Sequence, residues 1–324
     1  MKKNTLYYLE KANGNYVSGE SIAESLGVSR MTVSKEVAAL RKEGAEIEAS
    51  TKLGYKLVRP TKKLHPESIY AHLPDGYEGD IFCFDRINST NDKAKSMAAD
   101  GALDATIITA DEQTSGRGRY GRSFFSPSES GLYMSIIIRP KTESSDVMYT
   151  VAAAVAVRRV LSEYNEKAKI KWVNDVYVED KKICGILCEA VSDLESGAVS
   201  AVICGIGINL SAPKGGFPDD IKNKAGYISA ERIPKAKIAA RIASELYEVL
   251  EMNGRDLISE YSYNMMLTGK EIYYIKNNIE TCALVKGVDE KGGLVVSLEG
   301  DKLDILRSGE VTLEKFQSFP KQNL

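Results

Sequence analysis

The stretch TSGRGRYGRSFFSPSESG, Thr114 to Gly131, joins two apolar segments, TIITADEQ (106–113) and GLYMSIIIRP (131–140), both of which read as strands. Gly116, Gly118 and Gly121 allow tight bends and close approach to a ligand. Arg117, Arg119 and Arg122 supply planar forked donors suited to carboxylate and phosphate. A loop of this make-up between two strands predicts an anion-binding site. The alternatives are a flexible basic linker or an RNA-binding Gly-Arg segment. It is not a dinucleotide fingerprint, because arginines and a following FFSP replace the apolar close packing of a strand-to-helix phosphate turn.

Outward from the loop, strand-like and helix-like segments mix. IFCFDRI (81–87) reads as a strand, STNDKAKSMAADG (89–101) as a helix, and Asp146 to Tyr164 as a strongly apolar helix. IKWVNDVYVED (170–180) and KKICGILCEAV (181–191) read as two strands joined by a charged turn at Glu179 to Lys181, and AVICGIGINL (201–210) as another. Helices follow over Lys235 to Met252 and Asp256 to Leu267. Groups of strands with helices between them predict an α+β unit with a mixed sheet. From Gly269 the helical period vanishes. KEIYYIK, ETCALVKGV, GLVVSLE and KLDILR predict a small β-barrel, with turns at Asn277 and Asn278, Glu290 to Gly293, and Gly300 and Asp301.

Toward the N-terminus, SGESIAESLGVSRMTVSKEVAALR (18–41) sets Ile22, Ala23 and Leu26 on one helical face and Val33, Val37 and Leu40 on another, with Gly27 between. AEIEASTKLGYKLV (45–58) reads as a hairpin turned at Leu53 and Gly54. Together these predict a winged helix-turn-helix. Ser29 caps the second helix, and Arg30, Thr32, Ser34, Lys35 and Arg41 lie off its apolar face, available to base edges and phosphates. Thr51, Lys52 and Lys56 on the wing suit a phosphate backbone. A small helical protein-interaction module is the alternative. RPTKKLHPES, with two prolines, marks a boundary near residues 60–66.

The 324 residues exceed one small domain, and 43% hydrophobic with 27% charged residues is a foldable composition. The net charge of −2 excludes a general nucleic-acid or membrane coat, although residues 1–60 hold ten Lys and Arg against seven Asp and Glu, a local +3. The longest apolar run, Val147 to Val157, is far short of the roughly 20 residues of a membrane span. The start MKKNTLYYLEKANG lacks a secretory apolar region, so the cytoplasm is the expected place. Cys83, Cys184, Cys188, Cys204 and Cys282 are scattered in mostly apolar strings, as reduced core cysteines are, and predict no zinc site.

STN at Ser89 to Asn91, Gln113 before GRGRYGR, KWVND at Lys171 to Asp175, KKICGIL at Lys181 to Leu187 and GIGINL at Gly205 to Leu210 occur in an order and spacing that resemble the bifunctional biotin protein ligases and biotin operon repressors. The resemblance covers nearly the whole chain. It implies a winged helix-turn-helix over 1–62, a mixed-sheet α/β ligase domain of class II synthetase-like type over 67–268, and an SH3-like barrel over 269–324. It also implies that biotin's carboxylate attacks the α-phosphate of ATP to give biotinyl-5′-AMP. A lysine of biotin carboxyl carrier protein, in acetyl-CoA carboxylase or another biotin-dependent enzyme, then takes the biotin. Carried over to this sequence, the biotin site comprises Ser89, Thr90, Asn91, Gln113, Arg117, Gly118, Arg119 and Lys182. Arg117, Arg119 and Lys182 are the catalytic donors. Asn174, Asp175, Asn209 and Tyr227 face ATP, Tyr227 as a ring stacked on adenine, and Asp175 is the candidate for Mg²⁺. Gly185, Gly205 and Gly207 would lay bare backbone against the biotin ring, while Lys171 and Trp172 are scaffold.

The implied repressor binds operator DNA as a homodimer, with biotinyl-5′-AMP as corepressor. Two departures stand out: Val173 where the family commonly has proline, and Glu314 where some relatives carry a basic residue suited to ATP. A lipoate-type acyl ligase and a ligand-sensing regulator without ligase activity are the competing readings.

Overall fold

The computed structural model describes residues 3–141, 146–193, 197–228, 234–276 and 279–314. At the N-terminal end α1 (Thr5–Lys11), α2 (Gly19–Leu26) and α3 (Arg30–Lys42) precede the antiparallel pair β1 (Glu46–Ser50) and β2 (Gly54–Arg59). Ser18 and Ser29 cap α2 and α3 by accepting from Glu20 N and Thr32 N, and Gly27 ends α2 at φ +65°, where a side chain would be strained. Ile22, Ala23 and Val33 are buried where the two helices meet, and Leu6, Leu9, Val37, Leu40, Ile47 and Leu57 form the adjoining core. The winged helix-turn-helix expected from the sequence is therefore present, with α1 added to it. The hairpin turn falls at 51–53, one residue earlier than expected, and Gly54 opens β2 at φ +95° against the backbone of Val17.

The supposed linker is partly helical. Pro66, at the first helical position, starts α4 (Pro66–Tyr70), whose Ile69 is buried in the central core. The sequence joins its first two parts here through side chains as well: His72 Nε2 lies 3.1 Å from Glu10 Oε2, and His65 Nε2 3.0 Å from Glu43 Oε2.

The central sheet is built from β3 (Ile81–Ile87), β4 (Ile107–Gln113), β5 (Gly131–Ile138), β6 (Ala168–Lys171), β7 (Asp175–Val178), β8 (Lys181–Ser192) and β9 (Val199–Asn209). Its order is β3-β4-β5-β9-β8-β7-β6, parallel only between β3 and β4. Between these strands the chain forms α5 (Thr90–Ala99) and α6 (Asp146–Ser162), and after them α7 (Lys235–Leu250) and α8 (Gly254–Asn264). The Ala- and Val-rich stretch 151–157 of α6 is buried on every side, its small residues letting α6 sit between the sheet and α7. α5 covers part of the other face through Ala94 and Ala98 against Ile108, Ile137 and Ile203.

The strand expected over 170–180 is instead two strands. β6 and β7 pair antiparallel around a turn at Trp172, Val173 and Asn174, and the Trp172–Val173 peptide is cis. Asn174 drives the reversal: its Nδ2 donates to Ile186 O (2.8 Å) while its own carbonyl accepts from Ile186 N (2.9 Å).

The last part comprises β10 (Glu271–Lys276), β11 (Ile279–Val288), β12 (Leu294–Ser297), β13 (Leu303–Leu306) and β14 (Val311–Thr312), all antiparallel in the order β13-β12-β11-β10-β14. This agrees with an SH3-like fold. The turn expected at Asn277 and Asn278, and the final ten residues of the expected barrel, lie outside the described residues. No helix among the described residues is long and apolar enough to cross a membrane.

Candidate active site

The arginine-glycine loop folds into a turn held by its own backbone hydrogen bonds. Gly118 N donates to Arg122 O (2.7 Å) and Phe124 N to Gly116 O (2.8 Å), and Arg117 bridges Ser123. Tyr120 and Gly121 both take positive φ at its tip. Gly116 has no room for a Cβ, which would meet Phe124 O at 2.5 Å. The loop closes over a cavity of about 350 Å³ whose wall includes Ser89 to Asn91, Gln113, Arg117 to Tyr120, Asn174, Asp175, Lys182 and Asn209. Every carried-over biotin residue thus lines one cavity, as do all the ATP candidates except Tyr227.

The floor is polar and internally bonded. Ser89 caps α5, accepting from Asp92 N (3.4 Å), which fixes Thr90 and Asn91 in the first turn at the end of β4. Gln113 Oε1 accepts from Thr90 N (2.8 Å) and Thr90 Oγ1 (3.1 Å), and its Nε2 donates to Ser126 Oγ (2.9 Å). Fully buried Ser135 lies under both α5 residues, its Oγ 2.8 Å from Thr90 Oγ1 and 2.7 Å from Asn91 Oδ1. Asn91 Nδ2 reaches Leu187 O (3.2 Å) and Glu189 Oε2 (2.8 Å), and Glu189 holds Lys95 at 2.5 Å. Sequence reading missed Ser135 and Glu189, which are distant in the chain and meet Asn91 only in the folded sheet.

The glycines meet side chains. A Cβ on Gly205 would sit 2.0 Å from Asn91 Oδ1, and one on Gly207 2.5 Å from the Phe124 ring, which also faces Gly185. The bare backbone expected for a ring of the ligand here accommodates Asn91 and Phe124.

The upper wall is cationic. Lys182 Nζ lies 2.7 Å from Asp175 Oδ1, Arg117 3.0 Å from Asp92, and Arg119 Nη1 3.3 Å from Asn174 Oδ1. Burial lowers the Lys171 pKa, and its amine lies over the Tyr177 ring. Trp172 is buried and its indole N–H donates to Gly292 O (2.9 Å), yet both Lys171 and Trp172, expected only as scaffold, line the cavity.

The last β-unit reaches the cavity through Gly309, Glu310 and Val311. Arg122 pairs with Glu310, whose carboxyl is held below the ordinary carboxylate range first by that hydrogen bond. Gly309 N donates to Tyr120 Oη (2.8 Å). Glu314, the departure noted in the sequence, does not line the wall, whereas Glu310 does.

Tyr227 is 40% exposed and does not line the cavity. The nearby Asn209 is turned to Gly226 O (2.9 Å). Phe125 and Phe217 line it instead, their rings edge to face with centroids 6.4 Å apart. Among the described residues no group of three or more His, Cys, Asp or Glu side chains could hold a metal ion.

In the helix-turn-helix, Ser29, Arg30, Ser34, Lys35 and Lys52 are exposed and Thr32 is partly so. Arg41 is also exposed, and it makes a structural bond as well. Its Nε and Nη2 donate to Ile47 O at 3.1 and 2.6 Å, so it ties α3 to the wing.

Comparison with known proteins matches residues 83–209 to the biotin/lipoate A/B protein ligase family and residues 2–56 to an HTH domain. The bifunctional ligase/repressor BirA of Bacillus subtilis is 35% identical over 75% of this chain and 76% of its own length. That of Escherichia coli is 28% identical over 89% and 90%. Among solved structures, a biotin protein ligase from Aquifex aeolicus in complex with biotin and ATP superposes with a TM-score of 0.60 at 27% identity, covering 72% of this chain and 97% of the other.

Proposed function

Because the chain belongs to the family of bifunctional ligase/repressors, we propose that it joins biotin to a carrier lysine at the expense of ATP and represses biotin genes when charged with biotinyl-5′-AMP. The observation that carries the ligase half is the single cavity in which the α5 start and Gln113 meet Arg117, Arg119 and Lys182. Ser89, Thr90, Asn91 and Gln113 offer donors and acceptors at fixed points, as a ureido ring requires. The cations then stand where a carboxylate and a triphosphate would converge.

In the first step a biotin carboxylate oxygen bonds to the α-phosphorus while the bond to pyrophosphate breaks. No protein nucleophile or general base is needed, because the attacking group is already ionised. Arg117, Arg119 and Lys182 align the two anions and offset charge on the five-coordinate transition state. In the second step a neutral carrier lysine nitrogen bonds to the acyl carbon as the bond from that carbon to the AMP oxygen breaks, AMP leaves as its anion, and the nitrogen gives up a proton to solvent. Asn174, Asp175 and Asn209 are assigned to the nucleotide side. Tyr227 is kept as the candidate adenine partner, with Phe125 and Phe217, which line the cavity, as the alternatives.

Mg²⁺ would come with the nucleotide rather than be held by the protein alone, and Asp175, paired with Lys182 at 2.7 Å, is the carboxylate that would meet it. When bound, it neutralises phosphate charge. Exposed Ser29, Arg30, Ser34, Lys35 and Lys52 and half-buried Thr32 are assigned to operator DNA. A homodimer on two half-sites follows from the single helix-turn-helix per chain. Domain limits at 62, 67–268 and 269 accompany this reading, as does a cytoplasmic setting.

ATP-dependent transfer of labelled biotin to a carrier fragment tests the ligase half. Transfer of lipoate in preference to biotin would favour the acyl-ligase alternative. Adenylate binding with no transfer would favour the sensor.

A further inference from the structure

A second cleft of about 790 Å³ opens between the winged helix and the ligase sheet, and it shares no lining residue with the first cavity. Its walls are the end of β2 with the segment that follows, the exit of the arginine-glycine loop at 128–130, the chain after β9, and the first residues of α7. Six cations line it, Arg59, Lys62, Lys63, Lys214, Lys235 and Lys237, against the carboxylates of Glu10 and Glu129. Both carboxylates are already engaged, Glu10 with His72 at 3.1 Å and Glu129 with Lys62 at 2.6 Å. Lys63 pairs with Asp85 and Lys235 with Asp111. Among the described residues Lys214 and Lys237 have no carboxylate within ion-pair distance. The Glu129 carboxyl is held below its ordinary range first by Lys62, with Lys235 and Lys214 adding to the effect, so the amines act on a common space.

Compact ammonium groups brought to one concave cleft from separate segments suit a ligand with several anionic groups, which pairs with more of them than a singly charged ion does. We propose that this cleft binds a small polyanion, carrying phosphate or carboxylate groups, that links Lys62 on the chain leaving the winged helix to Lys214 and Lys237 on the ligase side. Such a ligand fixes how the DNA-binding part sits on the catalytic part. By linkage it changes operator affinity by the same factor as operator DNA changes its own.

Calorimetry on the full chain, with inorganic triphosphate and citrate as probes and with or without biotinyl-5′-AMP, tests this. Binding of either probe at one site, undiminished by the adenylate, supports it and tells phosphate from polycarboxylate. The Lys214→Ala/Lys237→Ala double variant is expected to weaken that binding about tenfold or more, the loss of two charged partners, while forming adenylate at the normal rate. Lys62→Ala should weaken it too. No binding of either probe, binding competed by the adenylate, or binding unchanged in the double variant overturns the site. Operator affinity that does not respond to the bound probe overturns the coupling. Normal adenylate formation in each variant separates these outcomes from misfolding and from any failure of the ligase reading.

Discussion

Lys182 stands 2.7 Å from Asp175, and both side chains are largely buried in the wall. Removing the amine leaves Asp175 without its partner and withdraws a cation from where charge grows on the transferred phosphorus. Lys182→Met is therefore expected to slow adenylate formation about 100-fold or more, the usual loss for a preorganised donor. Pyrophosphate exchange measures this, and a near-normal rate would remove Lys182 from the transition state. Gly205 makes a different kind of contribution. An alanine methyl would sit 2.0 Å from Asn91 Oδ1, and Asn91 cannot retreat without giving up Ser135, Leu187 and Glu189. Gly205→Ala should keep the fold and weaken biotin binding about tenfold, as one displaced polar contact would. Titration calorimetry alongside circular dichroism reads both quantities. Unchanged affinity would mean that Asn91 does not help hold biotin.

At the scale of elements, α3 presents Arg30 beside Glu20 at 3.1 Å, a pair with both side chains more than half exposed that contributes little to stability and exchanges readily for a phosphate. Arg30→Ala should weaken operator binding across sequences, lower the salt slope of log K by about 0.9, and leave biotin transfer intact. A slope unchanged in anisotropy titrations at several salt concentrations would place Arg30 off the DNA. The helix pair was legible because its apolar spacing, its glycine and its capping serine all specify the same turn. β3 was legible because an apolar run flanked by turns leaves one reading. The β6–β7 reversal was not, since IKWVNDVYV alternates like one strand and the deciding bond joins Asn174 to Ile186 on another. α1 and α4 are too short to show a period, and their stability comes from packing. The site was legible wherever a motif placed its residues together. Glu310 and Phe217, which line the cavity, and Ser135, which lies beneath its floor, carry no local signal and come together with it only through tertiary contacts.

At the scale of the whole molecule, the arginine-glycine loop is where distant parts of the chain meet. Arg119 contacts Asn174 in the β6–β7 turn, Arg122 pairs with Glu310, and Tyr120 accepts from Gly309 N. The adenylate, once formed, would sit beneath this loop, so losing one guanidinium weakens its retention without removing the floor that recognises biotin. For the proposed homodimer on half-sites, ligand held beneath the loop would favour the DNA-bound form. Arg119→Gly is expected to speed adenylate release about 10- to 100-fold, as loss of charge-assisted bonds would. It should also cut the gain in operator affinity caused by biotin and ATP, while ligand-free operator binding stays as it was. Retention of labelled adenylate through gel filtration and operator anisotropy, measured on one preparation, separate the two effects. Normal retention would rule out the loop as a lid. Rapid release with a full ligand-induced gain in operator affinity would mean that the coupling to DNA runs through another part of the fold.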